Sequence, residues 1–434
     1  MFPLVQHLNL SRSLLFHRSS SLCGNLFAQN VCLNFCCFSK MKVANPLSEV
    51  GHFAPTTRLL CGPGPSNAHP RVHAAMALPQ LGHMDPEFLA ICEDVKKLLR
   101  YTWQTEEAFT IPVSGTGSAA WEAAVANLTE PGDVHLVFVN GYFGERHTDM
   151  AGRYGAVVKQ VRKPYGETFS LQEIEEAISA NKPDLIWLCM AETSTGAYQD
   201  ITGVGKICRQ HNCLFLLDTV TSIAALPCNL DENLVDAAYA GGQKCLSCPP
   251  GIAPLMLNER ALEKLAKREQ KDIKVPNWYL DMTMIKRYIT AHGGARVYHH
   301  TAPISMMYAL RESLSILAEE TLEGSYKRHK EVSEFFWEKL EEVGLEMLID
   351  DKEKRLPSLH SVKVPEGINA AEVLKNARVN FDVEIGAGLG ELAGKIFRVG
   401  LMGHNCRKDV ALTVISVLLD GLKKQGYVVP AKKA

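Results

Sequence analysis

The sequence predicts an α/β fold built on a buried, mainly parallel sheet, and three observations support this. Short, nearly continuous apolar runs recur along the first three hundred residues, at 109–113, 134–139, 185–190 and 214–217. Amphipathic stretches with helical period separate these runs, for example at 119–128 and 171–179. Strands that are apolar throughout and alternate with helices are typical of parallel sheets covered on both faces. The chain has 434 residues, which is enough for one large and one smaller domain.

The second half of the chain changes character after Thr301. A long helical stretch from 304 to about 344 precedes two short strand candidates, and a final helix closes the chain; these later elements are predicted at 360–364, 396–400 and 410–425. This order indicates a smaller α+β C-terminal domain. We therefore predict three parts: an N-terminal extension over 1–45, a large domain over 46–315 and a small domain over 316–434.

Composition excludes several classes of function. The formal net charge is −2 with both signs interspersed, so we expect no nucleic-acid partner. No apolar run reaches the ~18 residues of a membrane helix, so we expect no membrane partner either. The thirteen cysteines form no repeated CxxC pairs, and we interpret Cys245 and Cys248 as free thiols rather than a metal site.

The first forty residues are basic and rich in serine, with Arg12, Arg18 and Lys40 and no acidic residue before Glu49. This composition is typical of a mitochondrial transit peptide. The alternative is an extension without a targeting role in a cytosolic protein, especially if translation starts at Met41.

A glycine-rich loop follows the first predicted strand and opens a helix, and it reads Ser114-Gly115-Thr116-Gly117-Ser118-Ala119. Backbone N–H groups at a helix N-terminus bind anions, which predicts a phosphate site. The loop also fits a loose dinucleotide pattern or a tight turn. A dinucleotide site needs an acidic residue at the end of the next strand, and this chain has Asn140-Gly141 there.

Two charged residues follow neighbouring predicted strands. Asp218 ends the apolar run 214–217, and Lys244 follows the run 235–240 and a glycine pair. Alone, the aspartate reads as a turn cap and the lysine as a surface residue. Parallel strands end at one edge of a sheet, so both residues and the phosphate loop can meet around one group. A lysine that forms an imine and a carboxylate that pairs with a pyridine nitrogen together indicate pyridoxal 5'-phosphate.

The sequence resembles the alanine–glyoxylate and serine–pyruvate aminotransferases, which are class V, fold-type I enzymes that use this cofactor. The resemblance covers about 55–427 and is carried by LLCGPGPSN, SGTGSAAWEAAVANLTEPGD, NGYFGER, ETSTG, LLDTVTS, GGQK, YHHT and FRVGLMG. It implies a large domain with a seven-stranded, mainly parallel sheet and a smaller α+β domain. It also implies a homodimer with shared active sites, a part in glyoxylate detoxification, and a peroxisomal alternative to mitochondrial localisation.

The resemblance assigns roles residue by residue. Lys244 and Asp218 are the catalytic residues, and Arg398 binds the substrate carboxylate. The cofactor contacts that it implies are Thr116, Gly117, Ser118, Phe143, Thr193, Asp218, Gln243 and Lys244, with Tyr298 and Thr301 reaching the neighbouring subunit's cofactor. Ser66, Asn67 and Gly388 are expected beside the small substrate side chain. Phe143 and Ser118 depart from the tryptophan and histidine that animal relatives carry.

The expected reaction is transfer of an amino group from L-alanine or L-serine to glyoxylate or pyruvate. Two alternatives on the same fold stay open: an aromatic donor such as 3-hydroxykynurenine, and a desulfurase chemistry that would need a reactive cysteine such as Cys406. A non-catalytic relative would be expected to lack Lys244, Asp218 or Arg398, and all three are present.

Overall fold

The computed structural model describes residues 43–290 and 297–431, so most of the predicted N-terminal extension lies outside the described residues. Two compact units divide the chain after Pro55. In the first unit the described residues hold one short helix, α1 (Leu47–Val50). The second unit, from Thr56 onward, holds the remaining elements. Within the described ranges, no helix is both long and apolar enough to cross a membrane.

The second unit alternates strands and helices along most of its length. Its strands are β1 (Leu59–Leu60), β2 (Phe109–Ser114), β3 (Val134–Val139), β4 (Val157–Arg162), β5 (Leu185–Cys189), β6 (Ala191–Glu192), β7 (Ala197–Tyr198), β8 (Leu214–Asp218), β9 (Ala237–Tyr239), β10 (Ile252–Leu257), β11 (Leu359–Lys363), β12 (Val383–Glu384), β13 (Gly386–Ala387) and β14 (Ile396–Gly400). Its helices are α2 (Pro70–Met76), α3 (Pro86–Trp103), α4 (Gly117–Leu128), α5 (Tyr142–Arg153), α6 (Leu171–Asn181), α7 (Val204–Gln210), α8 (Glu259–Gln270), α9 (Met282–Thr290), α10 (Ile304–Glu320), α11 (Leu322–Glu342), α12 (Ala370–Asn380) and α13 (Lys408–Lys423).

A seven-stranded sheet in the order β2-β10-β9-β8-β5-β3-β4 forms the centre of this unit. Strand β10 runs antiparallel to both of its neighbours, and the other adjacent pairs are parallel. The predicted α/β fold with a mainly parallel sheet is confirmed. Every residue of β5, β8 and β10 is buried, which explains why these strands do not alternate with polar residues and are apolar up to Asp218 at the end of β8.

Helices cover both faces of the sheet and create a core on each. Phe215 and Leu217 pack into one apolar cluster, and their neighbours Leu214 and Leu216 pack into the other. This follows from the two-residue period of a strand, which sends successive side chains to opposite faces. The sheet is thus held rigidly from both sides, and its polar strand ends are the places where side chains can do chemistry.

The C-terminal part contains a three-stranded antiparallel sheet, β11-β14-β13, with its own apolar cluster. The predicted helical stretch from 304 to about 344 is helical over nearly all its length, but it consists of two helices, α10 and α11, rather than one. Thr321 adopts φ +70° between them and its hydroxyl accepts a hydrogen bond from the Gly324 amide, which caps α11. The predicted domain boundary after residue 315 falls inside α10, and the division into these domains stays a prediction.

Candidate active site

Lys244 lies in the loop after β9, beside the loop that follows β1. Its ammonium nitrogen donates a hydrogen bond to the Pro63 carbonyl oxygen, and the side chain is half-buried. Burial lowers the pKa of Lys244 to about 8, and the positive charge of Arg398 lowers it further in the same direction. A Cβ at Gly64 would overlap the end of the Lys244 side chain, and φ is +117° there, so any other residue would be strained and would require that side chain to shift.

Asp218 ends β8 as a buried carboxylate. Its Oδ1 accepts a hydrogen bond from the Val220 amide at 2.9 Å, and its Oδ2 accepts one from the Tyr239 hydroxyl at 2.7 Å. Burial raises the pKa of Asp218 to about 6, while these two donors and the Lys244 charge oppose that rise. The carboxylate therefore lies in an environment that favours a further cationic partner.

The predicted phosphate loop meets the lysine loop. Thr116 is the N-cap residue of α4, and neither its side chain nor any other caps that helix terminus. Thr116 and Ser118 are exposed, whereas Gly117 is buried with its Cβ position 3.4 Å from the Gly241 Cα. The free N-terminus of α4 thus opens beside the loop that carries Lys244, as an anion site requires.

Arg398 and Thr193 are joined by a buried hydrogen bond. Arg398 lies on β14, where its Nη1 donates to the Thr193 carbonyl at 3.1 Å and its Nε donates to the Ala387 carbonyl at 2.7 Å. Burial lowers the pKa of Arg398 to about 10, and the Glu192 charge counteracts this. Both bonded nitrogens are held by the backbone, which fixes the plane of the guanidinium.

Glu192 binds the N-terminus of α5. Its Oε2 accepts a hydrogen bond from the Phe143 amide at 3.3 Å, and its Oε1 accepts one from the Ser194 hydroxyl at 2.6 Å. The Ser194 hydroxyl in turn accepts from the Tyr142 amide at 2.9 Å. Burial raises the pKa of Glu192 to about 7, against the lowering effect of its Ser194 and Phe143 donors.

The residues expected beside the substrate side chain contribute backbone rather than free side chains. The Ser66 hydroxyl donates to the Met402 carbonyl at 3.0 Å, and the Asn67 amide group binds the backbone of Arg58 and Leu60. At Gly388 a Cβ would lie 1.9 Å from the Leu392 carbonyl oxygen, so no side chain fits there. These residues shape two adjoining loops, since a Cβ at Gly386 would lie 2.3 Å from Pro63.

Tyr298 and Thr301 are exposed, as are Thr116 and Ser118 of the predicted phosphate loop. The Tyr298 ring lies 5.2 Å from the His83 ring, and in the described part of the chain neither residue hydrogen-bonds to Lys244, Asp218 or Gln243. The structure thus brings the other predicted residues into adjoining segments and leaves these two at the surface of the subunit.

Comparison with known proteins agrees with this geometry. The family model described as aminotransferase class-V matches residues 69–412, which include Lys244, Asp218 and Arg398. The chain belongs to the class-V aminotransferases. Its relatives include the alanine–glyoxylate aminotransferase of Rattus norvegicus, 40% identical over 366 residues, which are 84% of this chain and 88% of that protein.

Two solved structures are also similar. The alanine–glyoxylate aminotransferase from Nostoc is 48% identical with a TM-score of 0.84, and the alignment covers 88% of this chain and 100% of that one. The ureidoglycine–glyoxylate aminotransferase from Bacillus subtilis is 33% identical, also with a TM-score of 0.84, over 88% of this chain and 97% of that one. The fold-type I architecture and the enzyme class predicted from the sequence are confirmed.

The cofactor of this class is pyridoxal phosphate, and the residues present fit it. The half-buried amine of Lys244 suits its aldehyde, the buried carboxylate of Asp218 suits its ring nitrogen, and the free N-terminus of α4 suits its phosphate. The Gln243 side-chain oxygen is buried with no hydrogen-bond partner among the described residues, so it can accept a further donor. When bound, the cofactor supplies an electron sink for the substrate α-carbon.

Three residues that bind or adjoin the candidate site were not predicted from the sequence. They are Tyr239, Trp187 and Glu192. Tyr239 and Trp187 lie inside apolar strands, where an aromatic residue is indistinguishable from core packing until the sheet register is known. Glu192 carried a usable signal, because a lone acidic residue directly after the buried run 185–190 needs a partner.

Proposed function

We propose that this enzyme transfers the amino group of a small L-amino acid, L-alanine first among them, to glyoxylate. The observation that carries the proposal is that relatives named for glyoxylate as acceptor match nearly the whole described site region, one of them at 48% identity. L-Serine as donor and pyruvate as acceptor belong to the same proposal, since they share the α-carboxylate and a small side chain with alanine and glyoxylate.

In this proposal each of the site residues has a defined role. Lys244 binds the cofactor and then moves the proton at the substrate α-carbon, for which a pKa near 8 suits a base working at neutral pH. Arg398 binds the α-carboxylate that donor and acceptor share. Asp218 pairs with the ring nitrogen, and Phe143 offers its face to the ring. The segments that carry Ser66, Asn67 and Gly388 would lie beside the small substrate side chain.

The test is an assay of products with the purified, cofactor-loaded enzyme. L-Alanine and glyoxylate should give pyruvate and glycine in equal amounts. Absence of both products with alanine, together with turnover of L-serine or 3-hydroxykynurenine, would replace alanine as the donor. Absence of turnover with all three donors would contradict the proposal.

Lys244→Ala is the matching variant. We expect the protein to bind the cofactor through the phosphate and ring contacts but to lose at least about a thousandfold in turnover, because proton transfer and covalent binding both depend on the amine. Turnover is measured by pyruvate release, and retained binding by fluorescence of the bound cofactor. Near-normal turnover in this variant would refute the assignment of Lys244.

A desulfurase chemistry is disfavoured by the surroundings of Cys406. This thiol is fully buried, and burial raises its pKa to about 12. The thiolate is the reactive form of a cysteine, so this side chain is unsuited to attack a substrate. Sulfide release from L-cysteine that survives Cys406→Ala would be background chemistry of the cofactor.

We propose further that the enzyme works as a homodimer in which Tyr298 and Thr301 complete the neighbouring subunit's site. Their exposure, together with that of Trp278 and Tyr279 nearby in sequence, supports this. Sedimentation equilibrium should give twice the 47.9 kDa of one chain. A monomer with full activity would contradict the proposal.

We also propose that residues 1–45 direct the enzyme to mitochondria, where it would remove glyoxylate. The support is the basic, serine-rich composition of this segment. A fluorescent protein fused behind residues 1–45 should enter mitochondria. A fusion in which the chain starts at Met41 should stay in the cytosol. Peroxisomal or cytosolic fluorescence of the first fusion would contradict the proposal.

A further inference from the structure

A chain of three buried side chains ends at Asp218. The indole nitrogen of Trp187 donates a hydrogen bond to the Tyr239 hydroxyl oxygen at 2.9 Å, and that hydroxyl donates to Asp218 Oδ2 at 2.7 Å. Trp187 and Tyr239 have no exposed surface, and Asp218 is 3% exposed. Buried hydroxyl and indole groups normally have hydrogen-bond partners, and both groups have them here.

The register of the sheet places these residues together. Asp218 on β8 is opposite Tyr239 on β9, and Leu216 on β8 is opposite Trp187 on β5. Residues opposite one another share a face of the sheet, and so do residues two apart along one strand. Trp187, Asp218 and Tyr239 therefore lie on the same face, where the middle strand carries the carboxylate.

The phenol ring of Tyr239 is fixed by packing as well as by its hydrogen bonds. Trp121 of α4 stacks on it with ring centroids 5.5 Å apart and an interplanar angle of 11°. The same indole stacks on Trp187 at 5.9 Å and 12°. One stacked contact on its ring and two hydrogen bonds at its oxygen hold the Tyr239 hydroxyl toward Asp218, because the Trp187 indole can only donate to that oxygen.

Tyr239 acts as a permanent donor to the carboxylate. Burial and the nearby Asp218 charge raise the pKa of Tyr239 well above its ordinary value, so its proton stays on the oxygen over the working pH range. The hydrogen bond stabilises the ionised carboxylate and makes it a weaker base. A weaker base leaves the proton on the ring nitrogen that it pairs with.

We propose that Tyr239, oriented by Trp187, is a positioning residue that keeps Asp218 ionised and thereby holds the cofactor's ring nitrogen in its protonated form. The inference rests on the proposed function, since it takes Asp218 as the partner of that nitrogen. It adds a residue, Tyr239, that does not contact the cofactor and acts on the protonation of the ring nitrogen through Asp218.

The test is the protonation state of the ring nitrogen, read from the ¹⁵N chemical shift of labelled cofactor in the holoenzyme across a pH series. Tyr239→Phe removes one buried oxygen and should lower the pH at which this nitrogen loses its proton by about one unit or more. The rate of the half-reaction with L-alanine should fall about tenfold, while the half-saturating alanine concentration stays unchanged because Arg398 is intact.

The matched control is Tyr308→Phe. Tyr308 is also buried, and its hydroxyl bonds only to backbone, at Pro79 and Leu81. This variant should lose similar stability and keep the wild-type ¹⁵N titration. Trp187→Phe is a second, independent arm: it removes the donor that orients Tyr239 and should shift the titration in the same direction by a smaller amount.

Wild-type titration in both Tyr239→Phe and Trp187→Phe would overturn the inference. Asp218→Asn separates it from the site assignment, because this variant should leave the nitrogen unprotonated at neutral pH. A protonated nitrogen in Asp218→Asn would remove Asp218 as the partner, and the inference with it. A shifted titration in Tyr239→Phe with no alanine turnover in the wild type would support the inference and defeat the choice of donor.

Discussion

Gly64 has no side chain, and this leaves space for the amine of Lys244, which we propose as the reactive group. Gly64 has φ +117°, and a Cβ on it would lie within 2.8 Å of three side-chain atoms of Lys244. The Lys244 nitrogen donates a hydrogen bond to the Pro63 carbonyl oxygen, so a shift of the side chain would break that bond. The neighbouring loop therefore determines where the amine can reach.

Gly64→Ala should displace Lys244 and impair its reaction with the cofactor. We expect cofactor incorporation and turnover to fall about a hundredfold or more, because both a steric overlap and an unfavourable φ arise at once. The control is Gly82→Ala, where a Cβ meets nothing within 4 Å and φ is not positive. Normal incorporation in Gly64→Ala would show that the lysine does not depend on this loop.

Single residues also mark the limit of what the sequence predicts. Lys244 and Asp218 could be predicted because each is a charged residue that follows an apolar run, where a charge needs a partner. Tyr239 could not be found, because its partner Asp218 lies on another strand and only the register brings the two together. Ser66 and Asn67 were predicted beside the substrate, and the sequence could not show that their side chains donate to the Met402 and Arg58 carbonyl oxygens.

At the scale of one element, helix α5 is capped from another part of the chain. Its N-cap residue is Gly141, where a Cβ would lie 2.3 Å from Glu192, so the cap comes from the side chains of Glu192 and Ser194. This cap fixes the first turn of α5, which carries Phe143. It also fixes Thr193 between its two members, and hence the carbonyl that holds Arg398.

Ser194→Ala should therefore reduce both stability and activity. It leaves the half-buried Tyr142 amide without its acceptor, which costs about 1 kcal/mol of unfolding free energy. The loosened first turn should also raise the half-saturating concentration of L-alanine. Ser170→Ala is the control, because Ser170 caps α6 in the same way with no link to these site residues. Equal activity in the two variants would show that the α5 cap serves stability alone.

Elements show why the sequence missed part of the fold. The apolar runs of the parallel strands were predictable because burial on both faces demands them. Strand β10 runs antiparallel between two strands of the sheet, and its apolar sequence carries no sign of direction. The break between α10 and α11 was missed because Thr321 leaves the helical pattern on both sides intact.

For the whole molecule, the buried carboxylate of Asp218 lowers the free energy of unfolding when the cofactor is absent and the carboxylate is ionised. Asp218 has its pKa raised from 3.8 to about 6, so the folded apoprotein holds a proton there that the unfolded chain releases between these values. A folded pKa above the unfolded one means that stability from this group falls as pH rises through that window. The shift corresponds to about 3 kcal/mol.

Asp218→Asn should remove this pH dependence. The unfolding free energy of the wild-type apoprotein minus that of the variant should decrease by about 3 kcal/mol between pH below 4 and pH above 6. Urea unfolding of both apoproteins across this range measures it, and groups that do not interact with Asp218 cancel in the difference. A constant difference would show that the carboxylate is well solvated in the apoprotein.

We propose that Lys244, Asp218 and Arg398 form one site that transfers an amino group by means of the cofactor. The most direct measurement follows the visible spectrum of the loaded enzyme through the two half-reactions. L-Alanine alone should convert the lysine-bound cofactor to its pyridoxamine form with release of one equivalent of pyruvate, and glyoxylate should then restore the original spectrum. A spectrum that does not respond to alanine, serine or 3-hydroxykynurenine would contradict the account.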